Sequence, residues 1–220
     1  MKVLVVAPHH DDEVLGVGGT IARFVEEGAE VYVVIVTRGY PPDFTEESHQ
    51  QDCREALAAH RVLGVKETIF FDFPASRIDT VPHREVNVKL FELIKKIQPE
   101  MLFVPFVGDI HIDHQRIFLS SLVAARPNNP YAPKTIYAYE TLSETNWNAP
   151  YLTSNFVPNV FIDISPYLET KIKAMQMYTL QMKPFPDERS EETLRALATL
   201  RGSTVNRFAA EAFYLVRQIQ

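Results

Sequence analysis

Two kinds of apolar pattern alternate along this chain. Residues 2–7 (KVLVVA) are an almost unbroken run rich in β-branched side chains, as in a strand buried on both faces, and residues 13–28 follow with Leu15, Ile21, Phe24 and Val25 at helical spacing and a closing glycine. The alternation continues with a strand over 30–37, a helix over 48–63, a strand over 68–71, a helix over 84–97 and a strand over 101–105. Four strand–helix units predict a Rossmann-like α/β fold of three layers with a mostly parallel sheet in the order 3-2-1-4. A further helix over 114–125 leads into RPNNPYAPKT, whose prolines and asparagines mark turns. Beyond it, IYAYE and NVFIDI read as short strands, and 165–181 and 190–200 as helices. EAFYLVR, near the end, fits either a strand or a helix. No repeat, linker or low-complexity stretch interrupts the chain, so residues 1–220 read as one domain with extra strands and helices at its C-terminal end.

Composition narrows the function classes. With 220 residues, 46% hydrophobic and 23% charged, the chain can bury a full core and does not read as disordered. A net charge of −6 and the lack of a dense Lys/Arg stripe argue against a nucleic-acid partner. The apolar runs ending at Ala7 and Thr37 are shorter than the roughly 20 residues of a membrane helix, and residues 1–7 lack the layout of a signal peptide. These features predict a soluble, cytoplasmic protein with no integral membrane segment. Cys53 is the sole cysteine, which leaves no internal disulfide; the same count predicts no thiolate metal cluster and restricts any bound metal to histidine and carboxylate ligands.

That restriction bears on APHHDDEVLGVGG, residues 7–19, where two histidines and three acids crowd the tip of the first strand. A dinucleotide turn needs glycine directly after the strand; here Asp11, Asp12 and Glu13 would repel a phosphate, and Gly16, Gly18 and Gly19 fall inside the helix. A helix N-cap accounts for one acid such as Asp12, but not for the whole cluster with no basic residue near it in sequence. A divalent cation accounts for all of it. VGDIHIDHQ, residues 107–115, supplies His111, Asp113 and His114 just after the fourth predicted strand. In the order 3-2-1-4 the first and fourth strands are neighbours, and their carboxyl-end loops meet at the topological switch point. A His/Asp/His set with water in a fourth place matches an open catalytic zinc site; ferrous iron or another divalent metal has similar donor preferences.

These two motifs resemble the LmbE-like, or PIG-L, family of zinc-dependent deacetylases, which remove the acetyl group from N-acetylglucosamine units of glycoconjugates. Pro8, His9, His10, Asp11, Asp12 and Glu13 match the family's first motif, except that His10 stands where a second proline is usual. His111, Ile112, Asp113 and His114 match the second. The resemblance implies zinc on His9, Asp12 and His114, Asp11 as general base, and a small N-acetylated sugar or glycoconjugate as substrate. YE at 139–140, DIS from Asp163, RS at 189–190, RG at 201–202 and AEAF from Ala210 are similar to the family's weaker C-terminal signatures, most of all to a branch among surface-polysaccharide enzymes.

Amide hydrolysis asks for these residue types. Zinc lowers the pKa of a bound water to about 7, and Asp11 takes that water's proton and returns it to the departing amine. His111 is expected to donate to the oxyanion while Asp113 fixes its tautomer. Arg38, Arg54, Tyr139 and Glu140 are candidate substrate contacts, with Tyr40 and Phe44 beside them in the loop after the second strand. Trp147 is placed either to stack on a sugar or to pack against the domain. His10 reads as pocket wall or as a residue behind the ligands rather than as an additional ligand, and His49, His60 and His83, without acidic partners at ligand spacing, as surface or helix-face residues without a role. The sequence leaves assembly open; were the protein a homo-oligomer, the proline- and aromatic-rich segment 127–158 is where its interface is sought, and no pattern fixes a symmetry. Two other readings stand beside the sugar deacetylase: a catalytically silent carbohydrate-binding subunit, and a metal-dependent amidase acting on a non-sugar acyl amine.

Overall fold

A computed structural model describes residues 1–220. Its first half follows the predicted alternation: β1 (Lys2–Ala7), α1 (Asp12–Glu26), β2 (Glu30–Arg38), α2 (Glu46–Leu63), β3 (Glu67–Pro74), α3 (His83–Ile97), β4 (Met101–Pro105) and α4 (Ile112–Ala124). β5 (Thr135–Tyr139), β6 (Val160–Asp163), α5 (Leu168–Met175), α6 (Glu191–Thr204) and β7 (Ala210–Gln218) complete it. The strands form one seven-stranded sheet in the order β3-β2-β1-β4-β5-β7-β6. β1 to β5 are parallel, and β7 and β6 join antiparallel, so EAFYLVR is a strand.

The period-2 geometry of β1 explains the three layers. Val3, Val5 and Ala7 face one side and pack with α1, α2 and α5, whereas Leu4 and Val6 face the other and pack with α3 and α4. Two of the α1 glycines answer to close packing. A Cβ on Gly16 would lie 2.2 Å from the Tyr139 ring, and one on Gly19 would lie 2.7 Å from Ile164, so the smallest residue lets α1 press onto the C-terminal strands. Lys171 of α5, buried, donates to the Leu15 carbonyl and pairs with Glu211 of β7, while Glu211 accepts from the Gly19 and Thr20 amides.

The long helix expected over 165–181 is a 3-10 turn at Ser165–Tyr167 followed by α5, which stops at Met175. The chain turns there so that Tyr178 is buried and its hydroxyl reaches Glu13. No helix is long and apolar enough to cross a membrane.

Candidate metal centre

The strand order changes direction between β1 and β4, and both polar motifs lie at the carboxyl ends of these neighbouring strands. The chain leaves β1 at Ala7 and enters α1 at Asp12, with Asp11 at the N-cap position in the left-handed region (φ 96°). Asp and Asn tolerate that conformation better than most residues. Asp11 therefore spends its carboxylate elsewhere than on capping: its side chain makes no cap hydrogen bond, and Oδ2 accepts from Arg189 Nη1 at 2.9 Å. Beyond β4, His111 occupies the N-cap of α4 and Asp113 and His114 its first turn.

Three donor atoms meet between the two tips. His9 Nδ1 is 3.3 Å from Asp12 Oδ2, His114 Nε2 is 3.2 Å from Asp12 Oδ2, and the two imidazole nitrogens are 3.3 Å apart. A four-coordinate ion with bonds of about 2.0 Å sets neighbouring ligands about 3.3 Å apart. The triangle thus fits one face of such a coordination sphere. Asp12 and His114 are fully buried, and His9 keeps about a quarter of its side chain, 24%, exposed, so the triangle is open on one side.

Each imidazole is held from behind. His114 Nδ1 bonds Asp109 Oδ2 at 2.8 Å, and Asp109 Oδ1 accepts from the Thr145 hydroxyl at 2.6 Å. His9 Nε2 bonds Asp113 Oδ2 at 3.0 Å, and that oxygen also accepts from the Ser76 amide at 2.7 Å. Such carboxylate–histidine pairs fix the ring so that its other nitrogen points at a metal.

The field of the site favours positive charge. Burial opposes a charged His9, but the hydrogen bonds to Asp113 and Asp12 and the Asp12 charge outweigh it and raise its pKa to about 9. Burial likewise opposes charge on His114, whose pKa Asp12 and Asp109 nevertheless hold well above the ordinary value. Asp12 stays well below the usual carboxylate range because the two imidazoles beside it overcome its burial. A divalent ion satisfies the same field in place of those protons. Asp11 behaves oppositely: burial, with Asp12 and Glu13 adding, raises its pKa well above the carboxylate norm against the pull of Arg189.

His111 does not join the triangle; its ring stands edge-on to His9, with centroids 4.5 Å apart. Burial, with His9 adding, lowers its pKa to about 4, so it is neutral at pH 7. Its tautomer is set otherwise than the sequence predicts. The Asp113 carboxylate is engaged with His9 and lies 3.9 Å from His111 Nδ1, whereas the Asp113 backbone N–H donates to Nδ1 at 3.1 Å. Nδ1 is then the acceptor and the proton sits on Nε2, free to donate.

Of the other candidates, Tyr139 is fully buried and its hydroxyl donates to the Val6 carbonyl at 2.9 Å, making it a core strut between β5 and β1 and leaving no face for substrate. Glu140 is engaged in a two-point pair with Arg201. Arg54 is exposed on α2 and bonds Gln51. Arg38 pairs with Glu46 and lies over the Tyr40 ring. Tyr40 lines an open hollow of about 380 Å³ with Pro41, Asp72, Pro74, Arg77 and Thr80. The turn that carries Ser76 onto Asp113 forms part of its wall. Trp147 is 60% exposed, which leaves its ring free.

Three residues have roles the sequence reading did not give them. Asp109 lies inside the second motif, five residues before His114, and its spacing was the available signal. Arg189 comes from a distant loop, 178 residues from Asp11, and no local pattern links the two. His60, expected on a helix face without an acidic partner, is buried with Nε2 3.0 Å from Glu13 Oε1 and Nδ1 2.7 Å from the Thr68 hydroxyl. Cys53 sits beside His10 and His49, a grouping of ligand-type side chains that the cysteine count alone does not bring to light.

Residues 4–125, more than half of the chain, match the model of the family described as PIG-L, GlcNAc-PI de-N-acetylase. The diacetylchitobiose deacetylase of Thermococcus kodakarensis is 26% identical over 239 residues, covering 98% of this chain and 83% of that protein. The solved N,N'-diacetylchitobiose deacetylase of Pyrococcus horikoshii superposes with a TM-score of 0.79 at 28% identity, covering 98% of this chain and 83% of the other. GalB, the 4-carboxy-2-hydroxymuconate hydratase of Pseudomonas putida KT2440, superposes with a TM-score of 0.77 at 23% identity over 100% and 97% of the two chains. This last likeness is one of fold alone; the fold does not select the reaction.

Proposed function

The chain belongs to the PIG-L family of GlcNAc-PI de-N-acetylases, and from that premise we propose that it is a metal-dependent hydrolase removing the acetyl group from an N-acetylated amino sugar. A GlcNAc-type glycoconjugate of the surface-polysaccharide kind is the proposed substrate class, and zinc the proposed metal, held by His9, Asp12 and His114. The observation that carries the reading is the triangle of their donor atoms, 3.2–3.3 Å on each edge, with Asp11 buried beside it. Deacetylation of sugars by the relative from T. kodakarensis supports the choice of substrate.

When bound, the ion supplies a Lewis acid and a water acidified to near neutrality. Asp11 accepts a proton from the attacking water; its burial raises its proton affinity above that of an ordinary carboxylate, which makes it a stronger base. It returns that proton to the sugar nitrogen as the C–N bond breaks, leaving acetate and a free amine. Arg189 favours the ionised form of the Asp11 carboxylate, against its burial, and fixes its direction. His111, neutral and protonated on Nε2, donates to the oxyanion that develops on the acetyl oxygen. Asp109 and Asp113 hold the two imidazoles in place. The hollow of about 380 Å³ beside the 74–80 turn is lined by none of the triangle's residues, but the turn's Ser76 amide bonds Asp113, and the hollow is the proposed place for the part of the glycoconjugate away from the acetyl group.

The test is acetate release from a panel of N-acetyl amino sugars and non-sugar acyl amines, by protein as purified, after chelation and after zinc is restored. Acetate from a sugar substrate, lost on chelation and regained with zinc, is the expected result. Turnover of acyl amines alone would replace the sugar assignment with an amidase, and no turnover of any substrate by zinc-loaded protein would favour the silent binding subunit.

A further inference from the structure

Beside the triangle, a second group of ligand-type side chains gathers where β1 meets α2. Cys53 Sγ lies 3.9 Å from His10 Nε2, and 3.8 and 3.7 Å from the two ring nitrogens of His49. His49 and Cys53 are four residues apart on α2, hence on one face of it, and His10 faces them from the tip of β1. The His10 ring is stacked on Phe70 of β3, with centroids 5.9 Å apart, and makes no hydrogen bond except that to Cys53. His9 and His10, adjacent in sequence, therefore serve two separate clusters.

We infer that His10, His49 and Cys53 form a second cation site, distinct from the triangle and suited to a zinc-type ion. An ion bonded tetrahedrally to nitrogen at about 2.0 Å and to sulfur at about 2.3 Å sets those donors about 3.5 Å apart, so the 3.7–3.9 Å separations here would close by a few tenths of an ångström on binding. The donor set of one sulfur and two imidazoles, without a carboxylate, selects zinc, cobalt or copper(I) over magnesium or calcium. All three side chains are half-buried, enough to shield an ion yet leave a path to it. The two nitrogens of His49 are nearly equidistant from Sγ, and one of them would have to turn toward the ion. On binding, the Cys53 S–H bond breaks as the sulfur–metal bond forms, and the proton passes to solvent. The ion would pin the N-terminal half of α2 to the tip of β1, whose next residue back is His9. None of the three residues belongs to the triangle, so this site does not depend on the deacetylase reading.

Cobalt(II) tests it, because only a site containing Cys53 gives a sulfur-to-cobalt charge-transfer band. The full-length protein, freed of metal and titrated with cobalt, should take two ions per chain and develop that band. Cys53→Ser should take one ion and show no band, His49→Ala should lose or weaken the band, and His114→Ala should take one ion and keep it. Protection of the Cys53 thiol from alkylation should follow the band in each protein. No band in the wild type, or two ions still bound by Cys53→Ser, would overturn the inference. A single ion with the band intact in both wild type and His114→Ala would uphold it and instead remove the triangle.

Discussion

The carboxylate of Asp113 is bonded to His9, 104 residues away, at 3.0 Å, and not to its near neighbour His111. The second motif thus orients an imidazole of the first, and the tips of β1 and β4 are one unit. If His9 and His114 hold a metal, Asp113 and Asp109 act through them. Asp113→Asn and Asp109→Asn should each weaken zinc affinity by about 10- to 100-fold, the usual cost of losing a partner behind a metal-binding histidine, measured by competition with a chromogenic chelator. Unchanged affinity with a collapsed rate for Asp113→Asn would return its carboxylate to His111.

Asp11 is best tested with asparagine, because alanine would be strained at φ 96° whereas asparagine tolerates it and still accepts from Arg189. Asp11→Asn should bind metal as the wild type does and lose about 100- to 10,000-fold in kcat. A variant with normal metal content and a near wild-type rate would remove Asp11 as the base.

Arg189 sets where Asp11 titrates. Its positive charge, 2.9 Å away, favours the ionised carboxylate, so Arg189→Met should let the Asp11 pKa rise further. A base must be ionised to act, so the acidic limb of kcat/KM should move to higher pH in this variant, and the loss of rate should be greatest below that limb. A uniform loss at every pH, with the limb unmoved, would limit Arg189 to packing.

Tyr139 should matter to stability alone. Tyr139→Phe removes one buried hydrogen bond between β5 and β1, which leaves the Val6 carbonyl without that donor at a cost of about 1–2 kcal/mol in urea unfolding. KM for the best sugar substrate should stay within about twofold. A large rise in KM without loss of stability would restore its place among the substrate contacts.

How far the sequence carried each of these features follows from how local its cause is. The strand order and the meeting of the two motifs were legible because KVLVVA and MLFVP are apolar on both faces and each is followed by a helix, which leaves few topologies. The partners of His111 and Asp113 were not, since the choice between a side-chain and a backbone donor turns on the Ser76 turn and on where His9 lands. Tyr139 stands beside Glu140 in a motif-like pair, but strand alternation points it into the core against Gly16. Cys53 and His49 show the same limit. Their spacing on α2 was visible, yet only the parallel β1–β2 pairing and the path out of β1 bring His10 over them.

The central claim, that His9, Asp12 and His114 hold the metal on which the chemistry depends, is tested most directly by locating the ion. Crystals grown with zinc and measured on either side of the zinc absorption edge do this without reference to rate. The expected result is an anomalous peak between His9 Nδ1, Asp12 Oδ2 and His114 Nε2 in the wild type, absent from His114→Ala. A zinc-loaded protein that releases acetate from its sugar substrate with no ion in that triangle would contradict the claim.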